Sequence, residues 1–392
     1  MPIYKVDGVK KDGLQKYLVR VNYTADCGKA KQLTRTAYGS DEAKALERKL
    51  DEQIKNKELW SAKKLTVQQL HDEYVNVKQH EQRQTSLDKF KRNMKNFILP
   101  TFKDIRIDRI TVQMMKDWKL AVEGRTYLKK GTPTKLALRT KKSVYTSFRA
   151  LLNYAIEMEY LPRGENPVTK VKCFKDTESL PSKMDYYTAE EFKLFIQAAK
   201  EIAIEREKQT GDISEWEYYV FFNIAFYMGI RKGENHALKF TDIICNVMEI
   251  TRSITQRLKG GDKETPPKNK SSIRALQMPL PLIQVIDEHI GRLKKAGIYN
   301  ENNRICGGVR SLRNSTVQRR NELYAKTAGL KLIRIHDFRH SHVSVLANER
   351  INIQEIARRL GHSRIEMTWN TYSHLYPREE ERAVDILNAI AA

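Results

Sequence analysis

The tightest constraint on this chain lies between Ile335 and Tyr372. The segment opens with Ile335-His336-Asp337-Phe338-Arg339-His340-Ser341 and later reads Leu360-Gly361-His362-Ser363, then Thr371-Tyr372-Ser373-His374. Ile353, Ile356, Ala357 and Leu360 recur at helical spacing, and Gly361 follows them where a left-handed residue ends a helix. A helix starting near His336 carries His336 and Arg339 on one face. His362 leaves the glycine turn, and Tyr372 comes ten positions later. Two cationic or proton-transferring groups, a histidine and a tyrosine in this order point to chemistry on an anion. Upstream, Met228-Gly229-Ile230-Arg231-Lys232-Gly233-Glu234 joins a long apolar run to a new helix and sets an arginine at the turn.

Charge bounds the partner. The 392 residues include 71 Lys+Arg against 48 Asp+Glu, a formal net charge of +23. That excess calls for a polyanion, and nucleic acid is the common one. A membrane is disfavoured, because the longest apolar run, Tyr218 to Ile230, is interrupted by Asn223 and is too short to span a bilayer. The start, Met1-Pro2-Ile3-Tyr4-Lys5, lacks the apolar core of a signal peptide. Cys27, Cys173, Cys245 and Cys306 form no Cys-x-x-Cys pair, which argues against a disulfide framework or a zinc site. A cytoplasmic protein is expected.

Read in order, the chain divides into several units, as its length suggests. Residues 1–62 read as a small α+β module. Tyr17 to Tyr23 and Gln32 to Ala37 are strand-like, and Ser40 caps a helix running to about Lys57. Residues 63–165 read as a helical bundle. Thr66-x-x-Gln69 is a capping box, and a second helix begins near Thr85 and ends at Pro100. Thr111 opens a third, a loop holds Gly124, Gly131 and Pro133, and the longest helix carries Val144, Phe148, Leu151, Leu152 and Ala155. Lys89, Lys91, Arg92 and Lys95 on one helix, and Lys135, Arg139, Lys141 and Lys142 in the opening turns of another, suggest a phosphate-contacting surface. Residues 166–187 read as a linker. Thr188-x-x-Glu191 is a second capping box that starts a mostly α domain, residues 188–392. In it Met248 to Gln256 and Ile273 to Met278 form one small sheet, joined by a hairpin holding Lys268. After Pro377, Ala383, Val384, Ile386, Leu387 and Ile390 lie at the spacing of an amphipathic tail helix.

At this point the chain resembles the tyrosine recombinases, closest in layout to the integrases of phages and conjugative transposons. The resemblance rests on Gly-Ile-Arg-Lys-Gly-Glu at 229–234, Pro-Lys-Asn-Lys-Ser-Ser-x-Arg at 267–274, the His-Asp-Phe-Arg-His-Ser run, Leu-Gly-His-Ser and the closing Thr-Tyr. It implies a mainly α multidomain protein. The parts are an arm-type DNA-binding module (three-stranded sheet plus helix), a helical SAM-like core-binding domain and a catalytic domain with a small antiparallel sheet. It implies a site-specific recombinase acting on double-stranded DNA at core and arm sites, as a homotetramer. An excisionase and a host DNA-bending protein are the expected helpers, and the tail helix docks on a neighbouring subunit. A type IB topoisomerase and a non-catalytic DNA-binding regulator are the competing readings.

The chemistry of a phosphodiester fits these residues. Its transition state spreads negative charge, so catalysis is mainly positioning plus fixed positive donors. Arg231 and Arg339 suit the two non-bridging oxygens, because a guanidinium is always charged and donates in a fork. His362 donates to the same phosphate, and Glu234 orients Arg231. Tyr372 is the nucleophile and His336 accepts or relays its proton. The resemblance assigns the lysine that protonates the leaving 5′-oxygen to Lys268, with Lys270 as the alternative and otherwise a DNA contact. No cofactor or metal is implied, since no carboxylate cluster accompanies the motifs.

Overall fold

A computed structural model of the chain describes residues 3–11, 13–24, 30–55, 65–129, 131–161, 166–175, 184–256, 261–266, 270–376 and 380–390. They fall into two units, Met1–Ser179 and Leu180–Ala392.

In the first unit, β1 (Ile3–Lys11), β2 (Leu14–Thr24) and β3 (Ala30–Tyr38) form an antiparallel sheet in that order. Alternate residues of a strand share a face, so Val19 and Val21 turn inward together. They meet Ala43 and Leu50 of α1 (Ser40–Lys55) in a small core of their own.

A second, helical core follows. Helix α2 (Val67–Glu81) opens with the expected capping box: Thr66 Oγ1 accepts from Gln69 N at 3.2 Å, and Thr66 N donates to Gln69 Oε1 at 3.0 Å. Helix α3 (Gln84–Asn93) does not stop at Pro100. It widens into a π-helical turn over Met94–Ile98 and continues as α4 (Leu99–Phe102) through the proline. Proline lacks the N–H that would bond Asn96 O. Arg125 Nη1 donates to that carbonyl instead at 2.6 Å, and Trp118 Nε1 donates to Phe97 O at 2.8 Å. The carbonyls around the break thus have side-chain donors, which is what permits a proline inside the helix.

Thr111 caps α5 (Val112–Gly124). The expected glycine-rich loop is a hairpin, β4 (Thr126–Lys129) with β5 (Thr132–Lys135), so Lys135 lies on a strand. Helix α6 (Leu138–Glu157) buries Val144, Phe148, Leu151, Leu152 and Ala155. Residues 166–175, expected as part of a linker, contribute to this core. Val168, Val171 and Phe174 belong to the helical core, and the Tyr145 hydroxyl is shared between Val168 O and Val171 O at 2.8 Å each.

The second unit is built on α7 (Ala189–Thr210), capped by Thr188 and Glu191, and α8 (Ser214–Met228). Helix α8 is apolar nearly all round and therefore central. Phe195, Phe222 and Phe338 interlock around it, with ring centroids 5.1–5.2 Å apart. Gly229 ends α8 in the left-handed region, and α9 (Lys232–Asn235) follows. The single expected sheet is two. Strands β6 (Ile243–Ile244), β7 (Val247–Ile250) and β10 (Arg274–Gln277) form one, ordered β10-β7-β6. Strands β8 (Ser253–Thr255) and β9 (Lys263–Thr265) form a separate hairpin. Then come α10 (Leu280–Lys295), α11 (Asn314–Thr327), α12 (Asp337–Asn348), α13 (Ile353–Leu360), α14 (Ile365–Tyr372) and α15 (Glu380–Ile390). No helix of the described residues is long and apolar enough to cross a membrane.

Candidate active site

Arg231 stands at the N-terminus of α9, where the chain leaves the buried end of α8. Its backbone N–H donates to Glu234 Oε2 at 3.0 Å and its Nη1 to Glu234 Oε1 at 2.9 Å. Glu234 is buried and also accepts from Arg274 Nη2 at 3.0 Å. Burial pushes its carboxyl up, but Arg274 and then Arg231 outweigh burial and hold it below the usual carboxylate range. One carboxylate thus fixes two guanidiniums. Arg231 keeps about a third of its side chain exposed, 36 %, so it is held in place yet open to a ligand.

Arg274, which closes the second motif, was given no role by sequence reasoning although the motif contains it. It is almost fully buried, and its Nε donates to Arg359 O at 2.6 Å, tying β10 to the end of α13. Gly361 is required at this point. Its φ is +64°, and a Cβ there would lie 3.0 Å from Arg274 Nη1 and 3.1 Å from Ser271 O. Gly233 is required likewise, because a Cβ would fall 2.5 Å from Ser253 Oγ and 2.8 Å from Ile254 O. The close approach seats the β8–β9 hairpin against α9 beside Arg231.

Arg339 lies on α12 and is 2 % exposed. Its Nη1 donates to Gly229 O at 2.9 Å and its Nη2 to Leu360 O at 2.7 Å, joining the ends of α8 and α13. Burial, then the nearby Arg231, lowers its pKa to about 9. A cation held this far from water, with no carboxylate paired to it among the described residues, is suited to an anion.

His362 emerges from the Gly361 turn. Its Nε2 lies 2.9 Å from Arg339 Nη2 and its Nδ1 lies 2.8 Å from Thr368 Oγ1. A guanidinium only donates, so Nε2 is the unprotonated acceptor and Nδ1–H donates to Thr368. Burial, then Arg339 and Arg231, pushes its pKa down to about 4, which agrees with a neutral ring.

Tyr372, at the end of α14, is 2 % exposed and packs with Val343, Ala347, Ile356 and Leu360. Burial pushes its hydroxyl up to about 12, against the opposing pull of Arg339. Its oxygen lies 2.7 Å from His340 Nδ1. His336, expected to meet the tyrosine, instead stands at the N-cap of α12, exposed, its ring packed edge-on against His340 at 5.4 Å between centroids. His342 is a packing residue: it is buried, Nδ1 bonds Phe226 O at 2.8 Å, and burial lowers its pKa to about 3.

Lys268 lies outside the described residues. Lys270 opens a 3-10 turn, Lys270–Ser272. On the first unit, Lys89, Arg92, Lys95, Lys135, Arg139 and Lys142 are exposed, and Lys91 and Lys141 are half-buried. Lys141 lies 3.9 Å from Glu123.

The model of the phage integrase family matches residues 186–379, and that of the phage integrase SAM-like domain matches residues 60–172. The ICEBs1 integrase of Bacillus subtilis is 30 % identical over 267 residues, covering 65 % of this chain and 67 % of that protein. The chain belongs to the phage integrase family. It is a tyrosine recombinase, an enzyme of the site-specific integrase class. The recombinase shares its fold with solved integrases. The Tn1549 transposon integrase matches with a TM-score of 0.61 at 19 % identity, over 84 % of this chain and all of that one. The lambda integrase matches with a TM-score of 0.53 at 16 % identity, over 96 % of this chain and 94 % of that one.

Proposed function

We propose that this recombinase integrates and excises a mobile DNA element by tyrosine-mediated cleavage and strand exchange. The observation that supports the reading is the convergence of Arg231, Arg339, His362 and Tyr372. They come from four separate elements and meet at one centre rich in cationic donors and provided with a nucleophile. Arg231 and Arg339 hold the non-bridging oxygens of the scissile phosphate, and His362 donates to the same group from Nε2 once the bound anion displaces the contact with Arg339 and that nitrogen takes up a proton. Tyr372 Oη attacks phosphorus and the bond to the 5′-oxygen breaks. A lysine protonates that oxygen, leaving a 3′-phosphotyrosyl link and a free 5′-hydroxyl. Attack by the partner strand's 5′-hydroxyl reverses the chemistry and passes through a Holliday junction. The Tn1549 integrase is solved with transposon right end DNA, and the lambda integrase as a tetramer on a Holliday junction.

In this reading residues 63–165 grip core DNA through the exposed lysines and arginines of α3, β5 and α6, and residues 1–62 bind arm sites. The enzyme works in the bacterial cytoplasm as a tetramer, with an excisionase and a DNA-bending protein as helpers. The direct test is a nicked duplex spanning the junction of the excised circular element. An SDS-resistant protein–DNA adduct is expected, and its absence overturns the reading.

Two further results are expected. Lys268→Ala slows adduct formation by about 100-fold or more, the range for loss of a general acid. A 5′-phosphorothiolate substrate restores the rate, because a thiolate leaves without a proton. Rescue of Lys270→Ala instead assigns the role to Lys270. The second result concerns α15, where Val384, Leu387 and Ile390 are 49 %, 65 % and 78 % exposed. A helix this short needs a surface to dock on. A chain ending at Pro377 binds a single core site normally but loses tetramer assembly on paired sites in analytical ultracentrifugation. Full assembly by the shortened chain rules out docking in trans.

A further inference from the structure

We propose that Gln256, Ser311 and Asp262 form a latch that positions the lysine protonating the 5′-oxygen, by fixing the β8–β9 hairpin to the loop in front of α11. The inference rests on the cleavage reading above and names the groups that keep its general acid in place. They are positioning residues rather than catalytic ones.

The hairpin needs outside support. Its two strands are three residues each, joined by the pairs Ser253–Thr265, Ile254–Glu264 and Thr255–Lys263, and they pair with no other described strand. A two-stranded hairpin is marginal in water, and Lys263 and Glu264 are exposed. Lys268 follows soon after Thr265, the end of β9, so its place depends on where that strand is held. At one end the hairpin is seated by shape, where Gly233 of α9 admits Ser253 and Ile254. At the other it is held by hydrogen bonds. Gln256, directly after β8, donates from Nε2 to Ser311 Oγ at 2.5 Å and to Leu312 O at 2.8 Å, and its Oε1 accepts from Asn314 N at 3.0 Å. Asp262, directly before β9, accepts at Oδ2 from Ser311 N at 3.1 Å and from Ser311 Oγ. Ser311 is buried, and its one hydroxyl accepts from Gln256 and donates to Asp262, so both strands are tied to a single residue. The Glu264–Arg304 pair at 3.1 Å adds a more exposed contact, of small worth by itself.

The loop that receives these bonds is itself firmly built. Ile305, Cys306 and Leu312 belong to the core of the second unit. Gly307 has φ +100°, and a Cβ there would run into Arg310 O and lie 2.9 Å from Leu312 N, so the chain closes tightly on itself. Asn314, which begins α11 and donates to Gln256, also meets His236 Nε2 through its Oδ1 at 3.3 Å, and His236 caps the end of α9. The start of α11 therefore holds both the helix that presents Arg231 and the hairpin that leads to the lysine. As the bond from phosphorus to the 5′-oxygen breaks, its electron pair stays on that oxygen, which takes a proton from the lysine ammonium. The transfer requires hydrogen-bond reach, and a displacement of about 1 Å costs about 100-fold. A lysine stem is flexible, so that precision has to come from a fixed backbone.

The test compares full-length wild type, Gln256→Ala and Ser311→Ala in single-turnover cleavage of the nicked junction duplex, made with an ordinary 5′-oxygen or as the 5′-phosphorothiolate. On the ordinary duplex Gln256→Ala loses about 100-fold, and Ser311→Ala, which keeps the bond from Gln256 to Leu312 O, loses about tenfold. On the phosphorothiolate both variants come within a few-fold of wild type, because a thiolate leaves without a proton. DNA affinity stays at the wild-type value. Adding Gln256→Ala to Lys268→Ala costs little beyond Lys268→Ala alone, since no acid is left to position. Where Lys270 proves to be the acid, the same holds with Lys270→Ala. Equal slowing of Gln256→Ala on both duplexes marks a merely structural residue and overturns the latch. Losses that multiply in the double variant overturn it too, as does cleavage of the ordinary duplex by Gln256→Ala at the wild-type rate. If Gln256→Ala does not fold, Ser311→Ala supplies the same comparisons, since Asp262 keeps its bond to Ser311 N. A wild-type chain that forms no adduct on either duplex fails at the earlier step and removes the cleavage reading itself.

Discussion

Tyr372→Phe abolishes the covalent protein–DNA adduct while leaving DNA affinity nearly unchanged. The ring is the part that packs: it fills a buried cluster with Val343, Ala347, Ile356 and Leu360, and phenylalanine fills the same space. The hydroxyl's contact with His340 is lost, at a cost on the order of 1 kcal/mol. Folding therefore survives, and with it the cationic pocket of Arg231 and Arg339 proposed to meet the phosphate. Without the oxygen there is no nucleophile, so the loss of adduct is complete rather than partial. Denaturing gel electrophoresis after incubation with the nicked duplex reads the adduct, and a filter or gel-shift titration reads affinity. An adduct formed by the Phe variant transfers the role to Tyr376, whose hydroxyl donates to Ile351 O at 3.0 Å.

The second large effect separates the two arginines. Arg339→Ala and Arg231→Ala each slow adduct formation by about 1,000-fold or more, the range for removing an arginine that stabilises a transferring phosphoryl group. They differ in stability. Arg339 is buried and satisfies the carbonyls of Gly229 and Leu360, so its removal leaves two buried acceptors without donors. At about 1–3 kcal/mol for each such group, the melting temperature falls by many degrees. Arg231 is a third exposed, and its partner Glu234 keeps Arg274, so Arg231→Ala melts close to wild type. Differential scanning calorimetry beside the cleavage assay distinguishes the pair. Equal melting temperatures with unequal cleavage would reverse this division of labour. A phosphate-bearing duplex is also expected to stabilise the wild-type fold against heat, because it neutralises cations that burial leaves poorly compensated.

Local signals in the sequence determined a good deal. The boundaries written into short spacings appear where the residues place them. Thr66 with Gln69 and Thr188 with Glu191 begin helices, because an N-cap needs only a side chain and a backbone amide three residues apart, and Gly361 ends one, because glycine takes the left-handed conformation without strain. The pairing of Arg231 with Glu234 is of the same kind, one helical turn in length. The excess of lysine and arginine, with an ordered set of arginines, histidines and a tyrosine, was enough to indicate a phosphate as the target.

Other features were decided by contacts between residues far apart in the chain. Pro100 reads as a helix end, and it continues a helix because Arg125 supplies the missing donor from another element. The single long strand expected over Met248 to Gln256 breaks in two, since β7 pairs with β10 while β8 pairs with β9. Val168, Val171 and Phe174 look like linker and are core, because Tyr145 and the helical bundle draw them in. The identity of the histidine that meets Tyr372 belongs here too. His336 and His340 lie four residues apart, on nearly the same face of one helix, and sequence spacing ranks them equally. Only the packing of α14 across α12 selects between them. It sets the hydroxyl over the fully helical residue, His340, rather than over the one at the cap, and no local pattern encodes that crossing.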